Sequence, residues 1–306
     1  MKGCDWMQIV AMGEMLWDVF PAKEFLGGAP LNFSAAAQRL GNEVTVITAV
    51  GDDERGRLAL ASMVDLRLQT DFVLIEAGRE TGTAVLTTDS DGNARYFFQR
   101  PAVFDAISLS ETQMSRLAVL CPEWIYIGTL ALTGSNNEEI LHRLMPNLPG
   151  VRCFYDMNLR EGHWSLELVQ RLSAMASIVK LNEEEAETLF ALTCPGVAFA
   201  LEAFCQAWSF IHDVQTICIT LGSAGCAIFY ENQLHRFEGY AVKVVDTVGA
   251  GDAFAAAFLH GYGLHWPLER IASFANALGA LVASRAGATP AWTVDYSLRL
   301  MASRRP

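Results

Sequence analysis

Hydrophobic and polar positions along the chain follow two patterns, short apolar runs and longer stretches with helical periodicity. The apolar runs are bounded by turn residues and predict strands at 8–13, 44–51, 124–128, 151–155, 178–181, 216–220 and 226–230. The helical patterns lie between these runs and at the end of the chain, at 30–41, 53–65, 135–145, 164–176, 183–191, 250–262, 267–284 and 293–301. Such alternation predicts an α/β fold, a mostly parallel sheet flanked by helices.

One segment breaks the alternation of strands and helices. Residues 81–102 (TGTAVLTTDSDGNARYFFQRPA) hold two alternating runs around DSDGN, which predicts a β-hairpin. Residues 14–20 (EMLWDVF) alternate as well, and together these strands predict a small sheet with one solvated face, a lid. We expect a single domain over 1–306, with lid segments at about 14–26 and 81–103, because no repeat or linker interrupts the chain.

Composition narrows the class of partners. The chain has 306 residues, 52% of them hydrophobic, and a net charge of −12, which argues against a nucleic-acid partner and favours small molecules. Its seven cysteines form no CxxC pair, so we expect reduced thiols and a cytoplasmic protein. The N-terminal segment does not resemble a signal peptide, and no apolar run reaches the ~18 residues of a membrane span.

The stretch DTVGAGDAF (246–254) carries the most chemical information. A Gly-Ala-Gly turn follows an extended run, and Asp252 stands where a helix begins. Small residues let a ligand approach the exposed N–H groups of a helix start, which favours anions. Gly249, Ala250 and Gly251 are therefore candidates for an anion-binding turn at a strand's carboxyl end, where open α/β sheets bind ligands. A plain turn with Asp252 as helix N-cap is the structural alternative.

The segment FLGGAPLNFSAAAQRLG (25–41) has a similar design. Gly27 and Gly28 precede a helix that carries Asn32 in its first turn. The glycines fit a backbone platform for a polyhydroxy ligand, with the Asn32 amide as donor and acceptor. A tight entry into the helix explains the same residues.

Two later segments offer polar groups after strands. In KLNEEEAETL (180–189), Asn182 and Glu185 share a helical face and supply oxygen atoms that hold Mg²⁺ through its waters. The alternative is an acidic first turn that complements the helix dipole. The Gly-rich turn in TLGSAGCAIF (220–229) fits either a nucleotide cover or a plain hairpin.

Other candidate motifs are weaker. DMNLREGHW (156–164) places Asp156, Asn158 and Arg160 at alternate positions after a strand, where an acid–base pair is usually structural. The six histidines show no metal-binding spacing, and no Walker-type GxxxxGK[ST] loop is present.

Together these segments resemble the ribokinase-like (PfkB) carbohydrate kinase family, from about residue 8 to residue 295. DTVGAGDAF resembles the family's C-terminal signature, and GGAPLNFS, with Gly41 and Gly51 at the expected distances, resembles the N-terminal one. KLNEEEAE, TLGSAG and NALGA (276–280) support the match. The resemblance implies a ribokinase-like fold and the transfer of a phosphoryl group from ATP, with Mg²⁺, to a sugar hydroxyl.

The resemblance also implies a role for each matched residue. Asp252 takes the proton of the attacking hydroxyl, and the turn of Gly249, Ala250 and Gly251 holds the charge of the transferred phosphoryl. The implied sugar contacts are Asp18, Gly27, Gly28, Asn32, Arg100 and Arg160. The implied nucleotide contacts are Thr220, Gly222, Gly225 and Asn276, with Asn182 and Glu185 on the Mg²⁺–phosphate side. Asp246 and the loop near Gly287 correspond to a monovalent-cation (K⁺) site, although Ala291 replaces a hydroxyl residue of some members.

Within the family, GEMLWDVFP, the GGAP segment and FFQRPA look most like fructokinases, so D-fructose is the predicted substrate. 2-Keto-3-deoxygluconate and ribose or ribosides are the alternatives. A sugar-binding regulator without catalytic activity is an alternative of a different functional class. The presence of Asp252 argues against it, because a regulator does not need a base. The exposed face of the lid sheet predicts a homodimer.

Overall fold

A computed structural model describes residues 6–20, 23–88 and 94–302. These residues form thirteen strands and ten α-helices. The strands are β1 (Gln8–Met12), β2 (Leu16–Phe20), β3 (Lys23–Gly27), β4 (Glu43–Gly51), β5 (Val73–Glu76), β6 (Thr83–Thr88), β7 (Ala94–Phe98), β8 (Trp124–Gly128), β9 (Arg152–Asp156), β10 (Ile178–Asn182), β11 (Thr216–Thr220), β12 (Gly225–Tyr230) and β13 (Gln233–Glu238). The helices are α1 (Ala29–Arg39), α2 (Glu54–Asp65), α3 (Glu111–Leu120), α4 (Ser135–Leu144), α5 (Leu166–Ser173), α6 (Glu183–Thr193), α7 (Leu201–His212), α8 (Ala250–Gly263), α9 (Leu268–Ala283) and α10 (Val294–Ala302).

Nine strands form the main sheet, in the order β13-β12-β11-β10-β9-β8-β1-β4-β5. Every neighbouring pair from β5 to β11 is parallel, whereas the pairs β11–β12 and β12–β13 are antiparallel, so β12 alone among these nine strands runs against the others. Parallel neighbours need a crossover, which the helices provide, whereas a tight turn at Gly222–Ala224 suffices between β11 and β12. The predicted α/β fold is confirmed, and it gathers the carboxyl ends of the parallel strands along one edge.

The main sheet buries side chains on both faces. Alternate residues of β1 show this division, since Ile9 and Ala11 belong to one core cluster and Val10 and Met12 to the other. The first cluster also takes side chains from α1, α8 and α9, and the second takes them from α4 to α7. A sheet covered on both faces explains why its strands read as continuous apolar runs.

Four strands form the lid sheet, in the order β3-β2-β6-β7. Directly paired residues share a face, so Phe25, Asp18, Ala84 and Phe98 form one row across the four strands. The predicted small β-sheet lid is confirmed. The DSDGN turn at 89–93 lies outside the described residues.

Five elements were absent from the sequence prediction: β3, β5, α3, α7 and β13. The predicted strand at 14–20 begins later in the structure, because Glu14 lies in the connection between β1 and β2. Over the described ranges, no helix has both the length and the apolar character required to cross a membrane.

Candidate active site

A cavity of about 420 Å³ lies between the lid and the carboxyl edge of the main sheet. It is lined by residues from both sheets and from the starts of α1 and α8. The lining includes Glu14, Asp18, Gly28, Asn32, Phe98, Asp156, Asn158, Arg160, Lys180, Asn182, Glu185, Thr220, Thr247, Gly249, Gly251 and Asp252. The fold therefore brings most of the sequence candidates together at the edge where open α/β sheets bind ligands.

Asp252 lies in the first turn of α8, directly after the glycine turn. Gly249 caps the helix with φ 77°, a left-handed conformation that glycine adopts without strain. A Cβ on Gly249 would lie 2.3 Å from the carbonyl oxygen of Ala288, so the close approach of the two loops also demands glycine. The turn thus leaves the helix N–H groups open and sets the Asp252 carboxylate beside them.

The Asp252 carboxylate has the properties of a base. Burial raises its pKa to about 6, and the nearby charge of Asp156 acts in the same direction. A hydrogen bond from Asn32 Nδ2 to Oδ2, 2.8 Å long, lowers the pKa, as do the positive charges of Lys180 and Arg160. A carboxyl with this pKa is ionised at neutral pH and is a stronger base than an exposed aspartate.

A buried ion pair lies next to this base, and the sequence prediction missed it. Lys180 Nζ donates to both carboxylate oxygens of Asp156, each at 2.9 Å, and Tyr126 Oη donates to the same carboxylate at 3.2 Å. The ammonium also lies 3.4 Å from where a Cβ of Gly251 would be, so it borders the glycine turn. The sequence alone favours a structural role for Asp156, and the lysine within an apolar strand is the feature that could have indicated the pair.

Of the sugar candidates, Asp18 and Gly28 line the cavity on its lid side, and Gly27 lies next to Asp18 but is not part of the lining. Burial raises the pKa of Asp18 to about 6, partly countered by the charge of Arg160. A Cβ on Gly27 would lie 2.6 Å from Asp18 Oδ2, so β3 approaches this carboxylate more closely than any side chain would allow. Arg160 is exposed and lines the cavity from the loop after β9.

Glu14 also lines the cavity, and it was not among the sequence candidates. Its side chain is only 4% exposed, and Oε1 accepts a 3.3 Å hydrogen bond from the Ala29 amide. Oε2 is buried without a partner among the described residues. Burial raises the pKa of Glu14 to about 7. In the sequence, an acidic residue within a stretch that otherwise alternates like a strand is the feature that could have identified Glu14 as a candidate.

Arg100, one of the sugar contacts that the resemblance implies, does not line this cavity. Its guanidinium pairs with Asp105 at 2.5 Å and donates to the carbonyl of Leu130 and the hydroxyl of Thr133. The side chain also lies over the Phe104 ring. These contacts turn the arginine away from the sugar side of the lid and into the packing beneath it.

Asn182 and Glu185 form a capping box at the start of α6. Asn182 Oδ1 accepts from the Glu185 amide, and Glu185 Oε2 accepts from the Asn182 amide, both at 2.8 Å. Glu185 Oε1 accepts from the Leu159 amide at 2.6 Å, and burial raises the pKa of this carboxyl. Every oxygen of the pair is thus already hydrogen-bonded, which fits a hydrated Mg²⁺ held through water better than direct coordination.

A second cavity, of about 500 Å³, lies on the other side of the glycine turn. Its walls are mostly apolar and include Thr220, Gly222, Ser223, Gly225, Tyr240, Val242, Val244, Thr247, Ala250, Gly251, Phe254, Asn276 and Ala283. It contains all four residues predicted to contact a nucleotide. Thr220, Thr247 and Gly251 line both cavities, so the two compartments meet at the start of α8.

Asp246 and Gly287, the predicted monovalent-cation pair, are in direct contact. The Gly287 amide donates to Asp246 Oδ2 at 3.0 Å, and the Val248 amide donates to Oδ1 at 3.1 Å. The carboxylate therefore holds two loops together. Among the described residues there is also no cluster of three His, Cys, Asp or Glu side chains suited to a metal ion.

Comparison with known proteins agrees with this geometry. Residues 13–294 match the family model for pfkB family carbohydrate kinases. Fructokinase-1 of Oryza sativa subsp. japonica is 29% identical, with 96% of this chain and 98% of the relative covered. A fructokinase with bound ATP from Xylella fastidiosa superposes with a TM-score of 0.83 at 23% identity, covering 97% of this chain and 98% of that chain. 2-Dehydro-3-deoxygluconokinase from Thermotoga maritima gives 0.80 at 21% identity, covering 97% and 98%. The two superpositions show the shared ribokinase-like fold.

Proposed function

Since this chain belongs to the PfkB family of carbohydrate kinases, we propose that it transfers the γ-phosphoryl group of ATP to a hydroxyl of D-fructose. The observation that carries this proposal is the meeting of two cavities at the start of α8, with Asp252 beside their junction. A polar cavity under the lid suits a sugar, and a mostly apolar cavity suits a nucleoside. The reacting atoms then meet where the anion-binding turn lies.

The reaction follows from what each group can do at that junction. The sugar hydroxyl oxygen attacks the γ-phosphorus, its proton passes to the Asp252 carboxylate, and the bond between phosphorus and the bridging oxygen breaks to release ADP. The backbone N–H groups of the turn at Gly249–Gly251 and the Lys180 ammonium stabilise the negative charge on the transferred group. Asn182 and Glu185 would hold a hydrated Mg²⁺, and this ion would neutralise phosphate charge.

The charges of the sugar cavity favour a neutral substrate. Glu14, Asp18 and Asp252 all contribute carboxyl groups, and Lys180 is already paired with Asp156. A sugar acid would place a further carboxylate among these groups, which disfavours its binding. Hydroxyls, by contrast, donate to carboxylates. Fructose therefore suits the cavity better than 2-keto-3-deoxygluconate.

One cation keeps the sugar acid as a second candidate. Arg160 is exposed at the cavity wall, and its guanidinium has the geometry to hold a carboxylate. The balance between three carboxyl groups and this arginine decides between the two substrates. The site does not support the hypothesis of a non-catalytic regulator, because a binding protein needs neither a base nor an anion-binding turn.

A kinase assay over a panel of sugars tests the proposal. ADP release is measured with ATP and Mg²⁺ and with fructose, ribose, a riboside, glucose or 2-keto-3-deoxygluconate, at one pH and one ionic strength. We expect the highest kcat/KM with fructose. A tenfold preference for the sugar acid or a riboside would overturn the choice of sugar, and sugar binding without turnover would revive the regulator.

A further inference from the structure

The connection between β1 and β2 makes an unusual contact with the start of α1. The N-cap of α1 is Gly28, which has no side chain to accept from the first N–H groups, and the first turn of the helix contains no acidic residue. Glu14 supplies the missing acceptor from outside the helix, because its Oε1 accepts from the Ala29 amide. The contact is close, since a Cβ on Gly28 would lie 2.4 Å from the Glu14 carbonyl oxygen.

This contact lies at the end of a continuous set of hydrogen bonds that reaches the base. The backbone N–H of Asn32 donates to the carbonyl oxygen of Gly28 at 3.0 Å, within the turn that Glu14 caps. The Asn32 side chain then donates to Asp252. The position of the Glu14 carboxyl therefore bears on the position of the sugar-binding asparagine and, through it, on the base.

A helix cap alone does not account for a carboxyl group at this place. A serine at the N-cap satisfies an amide of a helix start without burying a carboxyl group, as Ser110 does for α3. Glu14 is instead almost fully buried, and Oε2 lacks a donor among the described residues. Burial of a carboxyl with an unsatisfied oxygen costs free energy, which points to a role in the cavity that it lines.

We propose that Glu14 is a positioning residue for the sugar end of the active site: its carboxylate fixes the first turn of α1, and through Asn32 it holds the Asp252 carboxylate in place. The proposal rests on the kinase activity and not on the choice of fructose. An ionised carboxylate accepts more strongly than a neutral one, so the first turn is held most firmly when Glu14 is ionised.

The charge state of Glu14 makes this role depend on pH. Its pKa of about 7 reflects burial first, then its hydrogen bonds with backbone amides, the positive charge of Arg160 from the loop after β9, and the negative charge of Asp252 from α8. The other groups around the cavity are Asp18 of β2, Tyr126 of β8, Asp156 of β9, and Lys180 and Glu185 near the end of β10. We expect the sugar KM to fall as pH rises through about 7, because Glu14 ionises over that interval.

The test compares Glu14→Gln with a cap substitution far from the site. Glutamine keeps the shape and a neutral acceptor but cannot ionise. Ser110→Ala removes the side-chain cap of α3, a capping interaction at an exposed helix start. For each protein, kcat, the sugar KM, the ATP KM and the melting temperature are measured between about pH 6 and 8, the range in which a group of pKa near 7 titrates.

For Glu14→Gln we expect a sugar KM raised about tenfold at the upper pH, equivalent to ~1.4 kcal/mol. The ATP KM should stay the same, and the change of the sugar KM centred near pH 7 should disappear, while the change near pH 6 that Asp18 and Asp252 cause remains. Ser110→Ala should lower the melting temperature and leave both KM values unchanged.

Glu14→Gln that behaves like Ser110→Ala, or that raises both KM values equally, would overturn the proposal. If the glutamine variant does not fold, a sugar KM of the unsubstituted protein that stays flat over this pH range overturns it instead. An unsubstituted protein that phosphorylates no sugar refutes the proposed function, and that outcome is distinct from either of these.

Discussion

Asn32 Nδ2 donates a 2.8 Å hydrogen bond to Asp252 Oδ2, which connects the first turn of α1 to the first turn of α8 across 220 residues of sequence. The other amide atom, Oδ1, is buried and has no partner among the described residues. One end of the amide therefore orients the base, and the other end is an acceptor that a sugar hydroxyl can satisfy. In the proposed reaction, Asn32 would therefore couple sugar binding to proton transfer.

Removal of this hydrogen bond should shift the pH dependence of the reaction. The bond from Asn32 stabilises the ionised form of Asp252 and lowers its pKa. In Asn32→Ala the pKa should rise above about 6, so the base is protonated, and activity lost, at a higher pH on acidification. The sugar KM should also rise, since the substitution removes Oδ1 as the acceptor for a sugar hydroxyl, and a hydrogen bond between neutral groups contributes ~0.5–1.5 kcal/mol. A series of kcat and kcat/KM values against pH measures both effects.

Asn137→Ala provides the control for that series. Asn137 is also fully buried and donates to the carbonyls of Phe104 and Ala131, but it lies outside both cavities. Its loss should lower the melting temperature without moving the acid limb, the part of the pH profile in which activity falls on acidification. An acid limb that stays in place in Asn32→Ala would show that the asparagine does not tune the base.

The same substitution should affect different properties at two arginines: the kinetics at Arg160 and the thermal stability at Arg100. Arg160 lines the cavity and lowers the pKa values of Glu14, Asp18 and Asp252 through its charge. Arg160→Gln should therefore raise the sugar KM and move the acid limb of activity to higher pH. Arg100→Gln should lower the melting temperature, because it removes the ion pair with Asp105, and should leave the sugar KM unchanged. Steady-state kinetics and thermal unfolding of the two variants decide this, and the reverse result would return Arg100 to the sugar site.

The outer face of the lid predicts self-association. Val19, Val85 and Phe97 are directly paired across β2, β6 and β7, and Phe97 is 61% exposed. An exposed apolar row on a sheet is a surface that a second copy can cover. We expect a homodimer through this face that Phe97→Asp converts to a monomer.

Phe210→Asp is the matched control for that substitution. Phe210 is 91% exposed on α7, away from the lid. Light scattering at micromolar concentration measures the mass of each protein. A monomeric unsubstituted protein, or a dimer that only Phe210→Asp dissociates, would contradict the assignment of the interface.

The sequence predicted the elements that have strong local patterns. The apolar runs identified β1, β4 and β8 to β12 because these strands are covered on both faces, and the glycine turn located the start of α8 because helix starts have a recognisable composition. β3 and β13 were not predicted because they are half-exposed strands with little apolar alternation. α7 was missed because apolar residues such as Phe210 and Ile211 extend onto its exposed face and obscure the helical period.

The site shows a similar limit. Asp252, Asn32 and the glycines follow from motifs, since each lies at a helix start. The pairing of Lys180 with Asp156 joins neighbouring strands that are separated by the whole of α5, and only the parallel register of β9 and β10 places the two side chains together. Arg100 shows the converse limit, because a charged residue beside a predicted lid gives no indication that Asp105 will pair with it.

The substitution Asp252→Asn tests the central claim, that this carboxylate is the base of a sugar kinase. Asparagine keeps the shape and still offers an oxygen to Asn32, but it cannot take a proton at neutral pH. With the best sugar of the panel, ATP and Mg²⁺, we predict a kcat lowered ~10²–10⁴-fold, as is typical for loss of a general base, with the KM values for sugar and ATP little changed. An Asp252→Asn protein with near-normal kcat would contradict the account.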